Sequence, residues 1–185
     1  MELGVVEGTV RLAEHDPAWA DEAKRMIAYL KEILVGQDIY DYQHVGSTSI
    51  RNIPAKPIID IAVAIKDESV VEKCRKSMTD AGFQYLGEIS ADDWMYFTGH
   101  PGQNDRTHHI HFVTAGSEAW IYYLAYRDYL NADQEAAAKY AALKRELTEK
   151  YKDQRRTYHE MKVPLIEELQ KEAIRWWRFE REHNA

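Results

Sequence analysis

Two short segments of the sequence carry the residues with the clearest chemical potential. The first, 57–65, holds a lone carboxylate, Asp60, inside an isoleucine- and valine-rich run. Burying a carboxylate costs free energy unless a cation, a metal ion or hydrogen-bond donors accompany it. The second, 107–114, contains His109 and His111. One carboxylate and two imidazoles suit a divalent cation, and a neutral imidazole can equally serve as a general base near pH 7.

The alternation of side chains along a strand predicts which of these residues share a face. In the first segment, Asp60 shares its face with two alanines, and the larger aliphatic residues share the other face. In the second segment, His109 and His111 lie on one face, and His108 lies on the other, where we expect a structural role. If the two strands are neighbours, Asp60, His109 and His111 converge. The alternative is a half-exposed strand with surface histidines.

A turn-rich connection ahead of Asp60 offers groups that could hold phosphate. Gly46, Ser47 and Thr48 follow a predicted strand and present backbone amides and hydroxyls at a tight bend. Lys56 can pair with Asp60 or with an anionic ligand. The spacing is neither that of a Walker A loop nor that of a dinucleotide-binding glycine motif. A turn without a ligand and a solvated lysine are the alternatives.

The periodicity of the remaining chain predicts the elements that would position these residues. Asp16 and Pro17 are typical of a helix start. Pro164 should either start a new helix after Met161 or kink the last helix, because it removes a backbone donor. We expect two helices, over about 17–35 and 69–81. We expect five strands, over 39–45, 57–65, 83–89, 94–98 and 107–114. From 117 onward the chain should be helical.

The composition is that of a soluble globular protein, with 45% hydrophobic and 30% charged residues among 185. We expect one domain over 1–185, with an α/β core at about 1–115 and a helical part at about 116–185. No run approaches the roughly 20 apolar residues of a membrane span. The net charge of −7 argues against duplex nucleic acid as a partner. A single cysteine, Cys74, and the absence of a recognisable secretory signal predict a cytoplasmic protein.

Three motifs, in the same order along the chain, resemble the GrpB family, a group of small bacterial proteins assigned to the nucleotidyltransferase superfamily. They are HVGSTSIRNIPAKPIIDIAVAI over 44–65, RTHHIHFVTAGSEAW over 106–120 with the helical segment that follows, and YHEMK over 158–162. The resemblance covers nearly the whole chain. It implies an α+β fold like that of polymerase-β-type nucleotidyltransferases, with a small mixed sheet flanked by helices and a C-terminal helical segment packed on it.

The resemblance also implies a ligand and an activity. It points to a nucleotide or another phosphorylated small molecule and to metal-assisted nucleotidyl transfer. Gly46 and Ser47, with Thr48, would position phosphate. Asp60 would hold a metal or activate an acceptor hydroxyl, and the histidines would complete the site, with Asp60 and His111 as its catalytic residues.

One position departs from the superfamily pattern. Active members usually carry a second carboxylate two residues after the first, where this chain has Ala62. Magnesium pairs need several oxygen ligands, and imidazoles favour zinc, manganese, iron or nickel. A single metal such as Mg, Mn or Zn, histidines that bind substrate, and loss of the transfer reaction all stay open. Glu88, Asp92 and Asp93 could supply a missing carboxylate, although acids in turns are usually solvated.

Four residues of the last third match positions at which the GrpB pattern carries similar residues: Arg127, Lys144, Tyr158 and Lys162. If their helices cover the cleft, the two lysines would neutralise phosphate, and the tyrosine would contact a base or donate to an oxygen. The alternative is surface charge around a half-buried tyrosine.

Two further alternatives concern partners. The pair at 176–177, two tryptophans, either anchors the last helix or contributes to a homodimer surface. Related domains also occur fused to dephospho-CoA kinase, so a non-catalytic module that keeps the fold and binds a ligand or a protein is the second functional hypothesis. Whether the chain is an enzyme stays open at this point.

Overall fold

The computed structural model describes residues 1–183 and combines seven strands with five helices. The strands are β1 (Val5–Val6), β2 (Ile39–Val45), β3 (Ile59–Ile65), β4 (Gln84–Ser90), β5 (Asp93–Thr98), β6 (Asp105–Arg106) and β7 (His108–Thr114). The helices are α1 (Ala18–Ile33), α2 (Glu68–Asp80), α3 (Glu118–Ala132), α4 (Gln134–Tyr151) and α5 (Arg155–His183). This arrangement confirms the predicted α+β class.

The main sheet has five strands in the order β2-β3-β7-β5-β4. The central pair, β3 and β7, is parallel, and the other neighbours are antiparallel. The sheet is therefore mixed, and the two segments that carry Asp60 and the histidines are direct neighbours. The part of the chain described here has no helix that is both long and apolar enough to cross a membrane.

One face of the sheet builds the larger hydrophobic core. Ile59, Ile61, Val63 and Ile65 of β3 are fully buried there, together with apolar side chains of α1 and α2. The predicted alternation along β3 is thus confirmed. Burial of this aliphatic row fixes which face of β3 is left for Asp60, because a slip by one residue would exchange the two faces.

The opposite face is covered in part by α3. A smaller cluster joins Val45, Ala62 and Val113 of the sheet to Trp120 and Leu124 of this helix. Ala62 is buried in that cluster, so helix packing occupies the position at which the resemblance led us to look for a second carboxylate. The polar residues of β3 and β7 lie on this same face.

The last three helices pack on one another around a second core. Leu169 and Ala173 of α5 are fully buried against α3 and α4. Trp176 and Trp177 pack at the edge of this cluster, which supports their role as an anchor for α5. Helix α5 runs through Pro164 as one element, so of the two alternatives the start of a new helix after Met161 is wrong, and a kink at Pro164 stays a prediction. Packing of the buried face outweighs the lost backbone hydrogen bond.

The helical part is joined to the sheet part by polar contacts as well as by packing. The backbone amide of Val10 donates to the carbonyl of Lys152 at 2.8 Å. The side-chain amide of Asn131 donates to the carbonyl of Ser49 at 3.1 Å. These links are consistent with one domain, and the division near residue 115 stays a prediction.

Two very short strands were not predicted. β1 pairs with β6 in register Val5 with Arg106 and Val6 with Asp105. Two residues are too few for a period of two to be recognised in a sequence. The pairing positions Arg106 near the beginning of α5, where it lines a cavity described below.

If the chain is one cooperative unit, a cavity in the helical core should destabilise the whole of it. We expect Leu169→Ala to lower the free energy of unfolding by about 2–5 kcal/mol. The exposed control Met161→Ala on the same helix should change it by less than about 0.5 kcal/mol. Calorimetry should give a single endotherm for each variant. Two separated transitions, only one of them shifted by Leu169→Ala, would show two independent domains.

Candidate functional site

The parallel register of β3 and β7 brings three predicted ligands together. Asp60 is paired with His109, and Ala62 is paired with His111. The carboxylate oxygen Oδ1 of Asp60 lies 2.9 Å from Nδ1 of His109 and 3.8 Å from Nε2 of His111. We call these three residues the Asp60 triad. His111 is buried, which is inconsistent with a strand of surface histidines.

His108 lies on the other face of β7, as predicted. Its ring is buried, with Nδ1 3.0 Å from the hydroxyl of Thr107 and Nε2 3.3 Å from Oε1 of Glu22 on α1. These contacts tie β7 to the helix that covers the core. The structure therefore places His108 away from the triad.

The glycine of the predicted phosphate turn is required by its closeness to Asp60. Gly46 has φ 69° and ψ −173°, a conformation that is essentially restricted to glycine. A Cβ atom at this position would lie 2.2 Å from Oδ2 of Asp60. The turn therefore passes directly over the carboxylate, and Ser47–Ser49 follows as one turn of 3₁₀ helix.

The three turn residues differ in their surroundings. The hydroxyl of Thr48 is buried, donates to the carbonyl of Ile58 at 3.2 Å and lies 3.0 Å from Nε2 of His44. Protein groups thus occupy the Thr48 side chain, which fixes the turn. Gly46 is the turn residue that lies against the carboxylate of Asp60.

Asp93 and Tyr123 contact Nδ1 of His111. Nδ1 of His111 lies 3.2 Å from Oδ1 of Asp93, and the hydroxyl of Tyr123 donates to Oδ2 of Asp93 at 2.6 Å. Because Nδ1 is occupied in this way, Nε2 is the ring nitrogen directed at Asp60. Asp93 is 1% exposed, so it does not act as a solvated turn acid. It is directed at His111 and does not replace the carboxylate missing at Ala62.

Sequence reasoning missed the role of Tyr123. It lies three residues after Trp120 and so falls on the same helical face, which is a signal only for packing. Its partners, Asp93 and His111, come from two different strands. A role that depends on the pairing of β5 with β7 could not be read from the helix alone.

The charges in the triad stabilise one another. Burial lowers the pKa of the His111 imidazolium, but the carboxylates of Asp60 and Asp93 outweigh it and raise that pKa to about 9. Burial would raise the pKa of Asp60, but hydrogen bonds from His109 and His111 hold it well below its ordinary value. At neutral pH the site therefore contains an ionised carboxylate beside an imidazolium.

The donor set fits a single metal ion. Ligand atoms of the Asp60 triad all lie within 4.8 Å of one another. Around a metal with bonds of about 2.1 Å, neighbouring ligands lie about 3.0–3.4 Å apart. The separations of 2.9 Å and 3.8 Å around Asp60 bracket that range. Two nitrogens and one oxygen suit zinc or manganese better than a magnesium pair.

A second observation indicates that a ligand belongs here. Nε2 of His109 is buried and has no hydrogen-bond partner among residues 1–183. Buried ring nitrogens are normally satisfied by protein, water or ligand. Whichever nitrogen of His109 meets the ligand, the ring has hydrogen-bonding capacity that the protein does not use.

Two lysines lie on the helical side of the triad. Nζ of Lys56 is 5.0 Å from the centre of the Tyr158 ring, and Nζ of Lys162 is 4.6 Å from it. Both lysines are within electrostatic reach of Asp60. Burial, and then the charge of Lys162, lowers the pKa of Lys56 to about 7. Burial lowers the pKa of Lys162 to about 8.

The other residues of the last third are engaged within the protein. Lys144 is 2% exposed and donates to the carbonyl of Pro54, and burial holds its pKa well below the ordinary value. Arg127 donates to Oε1 of Gln43 at 2.7 Å, which ties α3 to β2. Tyr158 is fully buried, so its ring supports the lysines and has no face free for a base.

Comparison with known proteins places these features in a family. The family model described as GrpB protein matches residues 9–172. The glutamate-rich protein GrpB of Alkalihalophilus pseudofirmus is 32% identical over 173 residues, which cover 90% of this chain and 97% of that protein. The crystal structure of the conserved protein GrpB from Enterococcus faecalis is 30% identical, with a TM-score of 0.82 over 90% of this chain and 99% of that one.

Two more distant matches are informative. The structure of Cid1 in complex with its short product ApU has a TM-score of 0.51 at 11% identity, over 74% of this chain and 42% of that one. This likeness concerns the fold alone. A dephospho-CoA kinase of Mycolicibacterium paratuberculosis is 26% identical over 195 residues, which cover 93% of this chain and 48% of the kinase.

The contact between Gly46 and Asp60 predicts a large effect of one methyl group. Gly46→Ala should lower the free energy of unfolding by about 2–5 kcal/mol, because backbone strain adds to a collision with the carboxylate. Gly102 also has positive φ, 74°, but open space around its Cβ direction. Gly102→Ala should therefore cost only about 1–2 kcal/mol in the same denaturant titration. Equal losses in the two variants would mean that the contact with Asp60 is unimportant.

The paired charges predict an unusual titration of His111. In metal-free protein, NMR of the imidazole rings should give His111 a pKa of about 9. Since this exceeds the unfolded value of about 6.5, its contribution to stability is complete below pH 6.5 and is lost as pH rises through 9. Asp60→Asn should lower the pKa of His111. A value near 6.5 in the unmodified protein would contradict this electrostatic picture.

Proposed function

The chain belongs to the GrpB family, and from this premise we propose that it is a nucleotidyltransferase-like protein that binds a nucleotide or another phosphorylated small molecule with the help of a divalent metal. One observation carries the proposal. The Asp60 triad lies directly beneath the Gly46 turn and within electrostatic reach of Lys56 and Lys162. A metal-binding acid, a backbone turn and buried cations are the groups that phosphorylated ligands require.

In this proposal each residue has a defined task. Asp60, His109 and His111 would hold the ion, which supplies Lewis-acid charge to a phosphoryl oxygen when bound. The turn at Gly46 and Ser47 would orient phosphate through backbone amides. Lys56 and Lys162 would neutralise its charge. Lys144 and Thr48 would act indirectly, by fixing the loop and the turn, since their polar atoms bond to protein groups.

The ionisation of the triad favours a binding role for Asp60 over a general-base role. Its pKa is held well below the ordinary value, so at neutral pH it accepts protons poorly. His111 carries the proton in the metal-free protein and would have to release it before binding an ion through Nε2. With Ala62 in place of a second carboxylate, one zinc or manganese ion fits this site better than two magnesium ions.

The comparisons support this proposal at the level of the fold. The Cid1 structure contains its short product ApU, but its likeness to this chain concerns architecture only. Nucleotidyl transfer by the present chain is therefore a proposal that rests on the site geometry. Fold similarity alone does not transfer an activity.

A non-catalytic module is the second candidate. Ala62 removes a carboxylate that the transfer reaction normally uses, and helix packing occupies its position. A segment similar to this chain makes up about half of a dephospho-CoA kinase. In that arrangement the fold would serve a partner or an attached enzyme. The dimer surface considered from the tryptophan pair has less support, because both rings pack against the helical core.

Metal binding tests the proposed function directly. Isothermal titration with Mn²⁺ should show one site per chain, and Asp60→Ala should weaken it by about tenfold or more, because a charged ligand is lost. Asp80→Ala on α2 removes an exposed carboxylate of the same type and should leave the affinity unchanged. Melting temperatures would confirm that both variants are folded. If a panel of metals and nucleotides gave no binding to the unmodified protein, the proposal would be wrong.

Two readouts separate the enzyme from the module. Turnover of labelled nucleoside triphosphate that depends on Asp60 would support a transferase. A stoichiometric protein partner that is retained by Asp60→Ala, without turnover, would support the module.

A further inference from the structure

A cavity lies between the first turn of α5 and β6. Its volume is about 770 Å³. We call it the arginine cleft; its lining includes the basic residues Arg106, Arg155, Arg156 and His159 and the carboxylates of Glu7 and Glu160. Basic side chains predominate in this set, and they come from β6 and from the beginning of α5.

Arg155 is the least compensated cation of the arginine cleft. It is half-buried, and its guanidinium group forms no ion pair or side-chain hydrogen bond with any residue among 1–183. Burial, and then the charge of Arg106, lowers its pKa. Arg106 stacks on Phe97 at 4.2 Å and donates to Oε1 of Glu7 at 3.0 Å, while its Nε is buried without a hydrogen-bond partner. The two guanidinium groups thus share one carboxylate.

His159 connects the arginine cleft to Lys56, which is within electrostatic reach of Asp60. It lines the cleft, and its Nε2 accepts a hydrogen bond from Nζ of Lys56 at 3.1 Å. The neutral ring that this bond requires agrees with its pKa, which burial and then the charge of Lys56 lower. Lys162 follows on the other side of Tyr158. Positive groups therefore extend from the triad to the cleft.

The positive charges of Lys56, Lys162 and Arg155 repel one another. The charges of Lys162 and Arg155 both disfavour the cationic form of Lys56. None of the three forms an ion pair with a carboxylate in the described part of the chain. Like charges gathered at a partly buried position are unfavourable unless a ligand of opposite charge joins them. Asp60 favours the cationic forms of the two lysines and Glu7 favours that of Arg155, but only through the electrostatic field, so direct anionic partners are left to another molecule.

We propose that the arginine cleft binds a phosphate chain, a linear ligand with two or more phosphoryl groups whose other end reaches the Asp60 triad. The inference rests on the proposed function and adds the class of ligand. A bound anion would favour the cationic forms of Lys56 and Lys162, so that these lysines and Arg155 present three positive charges without an ion pair. One phosphate ester carries a charge of about −1.5 to −2, which is less than these three. A chain of two or three phosphoryl groups carries enough charge. Guanidinium groups match phosphate oxygens in a bidentate geometry, and the N-terminal amides of α5 lie alongside.

The same chemistry is offered by a nucleoside triphosphate and by inorganic oligophosphate. Both present a phosphate chain, and they differ in the base and sugar. The experiment therefore begins with inorganic tripolyphosphate, and then tests whether ATP competes with it for the site.

Calorimetric titration with inorganic tripolyphosphate in EDTA tests the arginine cleft without metal. We expect binding to the unmodified protein and a loss of about tenfold or more in Arg155→Gln, because a charge-assisted contact is removed. Arg25→Gln, which removes one exposed positive charge from α1, is the matched control and should bind as the unmodified protein does. Orthophosphate should bind at least about tenfold more weakly than tripolyphosphate.

Three results would overturn the proposal. They are no binding of tripolyphosphate, an equal loss in Arg155→Gln and Arg25→Gln, and orthophosphate binding as tight as that of the chain. If Arg155→Gln does not fold, Lys56→Gln provides the same test from the other end of the charged region, and retention of full affinity in that variant would also overturn it.

The outcome is separable from that of the proposed metal site. Mn²⁺ binding, which Asp60→Ala should weaken by about tenfold or more, and tripolyphosphate binding in EDTA are measured separately on the unmodified protein. Tripolyphosphate binding without Mn²⁺ binding would contradict the proposed metal site and support the arginine cleft. Mn²⁺ binding without tripolyphosphate binding would contradict only the arginine cleft. Displacement of tripolyphosphate by ATP would identify a nucleotide as the source of the chain, and binding that ATP does not displace would identify inorganic oligophosphate. Both results support a site for a phosphate chain.

Discussion

The parallel pairing of β3 with β7 is the constraint on which the candidate site depends. It places Asp60 opposite His109, and it places His111 opposite Ala62, two residues further along the same face. That register is fixed from the other face of the sheet, where Ile59, Ile61 and Ile110 are fully buried in the core. A slip by one residue would expose this aliphatic row and bury the charged one. Hydrophobic packing on one face therefore determines the chemistry on the opposite face.

The electrostatics of the site follow from this placement. An ionised carboxylate is balanced by imidazole groups, and one of these is held by Asp93 and Tyr123. Beyond the carboxylate, the balance is incomplete, because Lys56, Lys162 and Arg155 interact with Asp60 or Glu7 only through the field and form no ion pair of their own among the described residues. The site combines cations that have no ion pair with three residues that could hold a metal ion. Such a site is suited to a strongly anionic ligand.

Much of this arrangement could be predicted from the sequence, for identifiable reasons. The period of two separates Asp60 from the aliphatic face of β3, and it separates His109 and His111 from His108. Other contacts depend on elements that are distant in sequence and that pair or pack in the fold. They are the contact of Gly46 with Asp60, the bonds of Asp93 and Tyr123 to His111, and the closeness of Arg155 to Arg106. No local pattern encodes such contacts. Tyr158 shows the same limit, since the sequence suggested a ligand contact and the structure buries its ring between elements.

A crystal soaked with manganese and a nucleotide tests the metal site most directly, by anomalous scattering. The geometry predicts one anomalous peak about 2.1–2.3 Å from a carboxylate oxygen of Asp60 and from a ring nitrogen of His111, with a phosphoryl oxygen beside it. A map with no peak at these residues, in which Asp60 is still bonded to His109 and the nucleotide lies elsewhere, would contradict it.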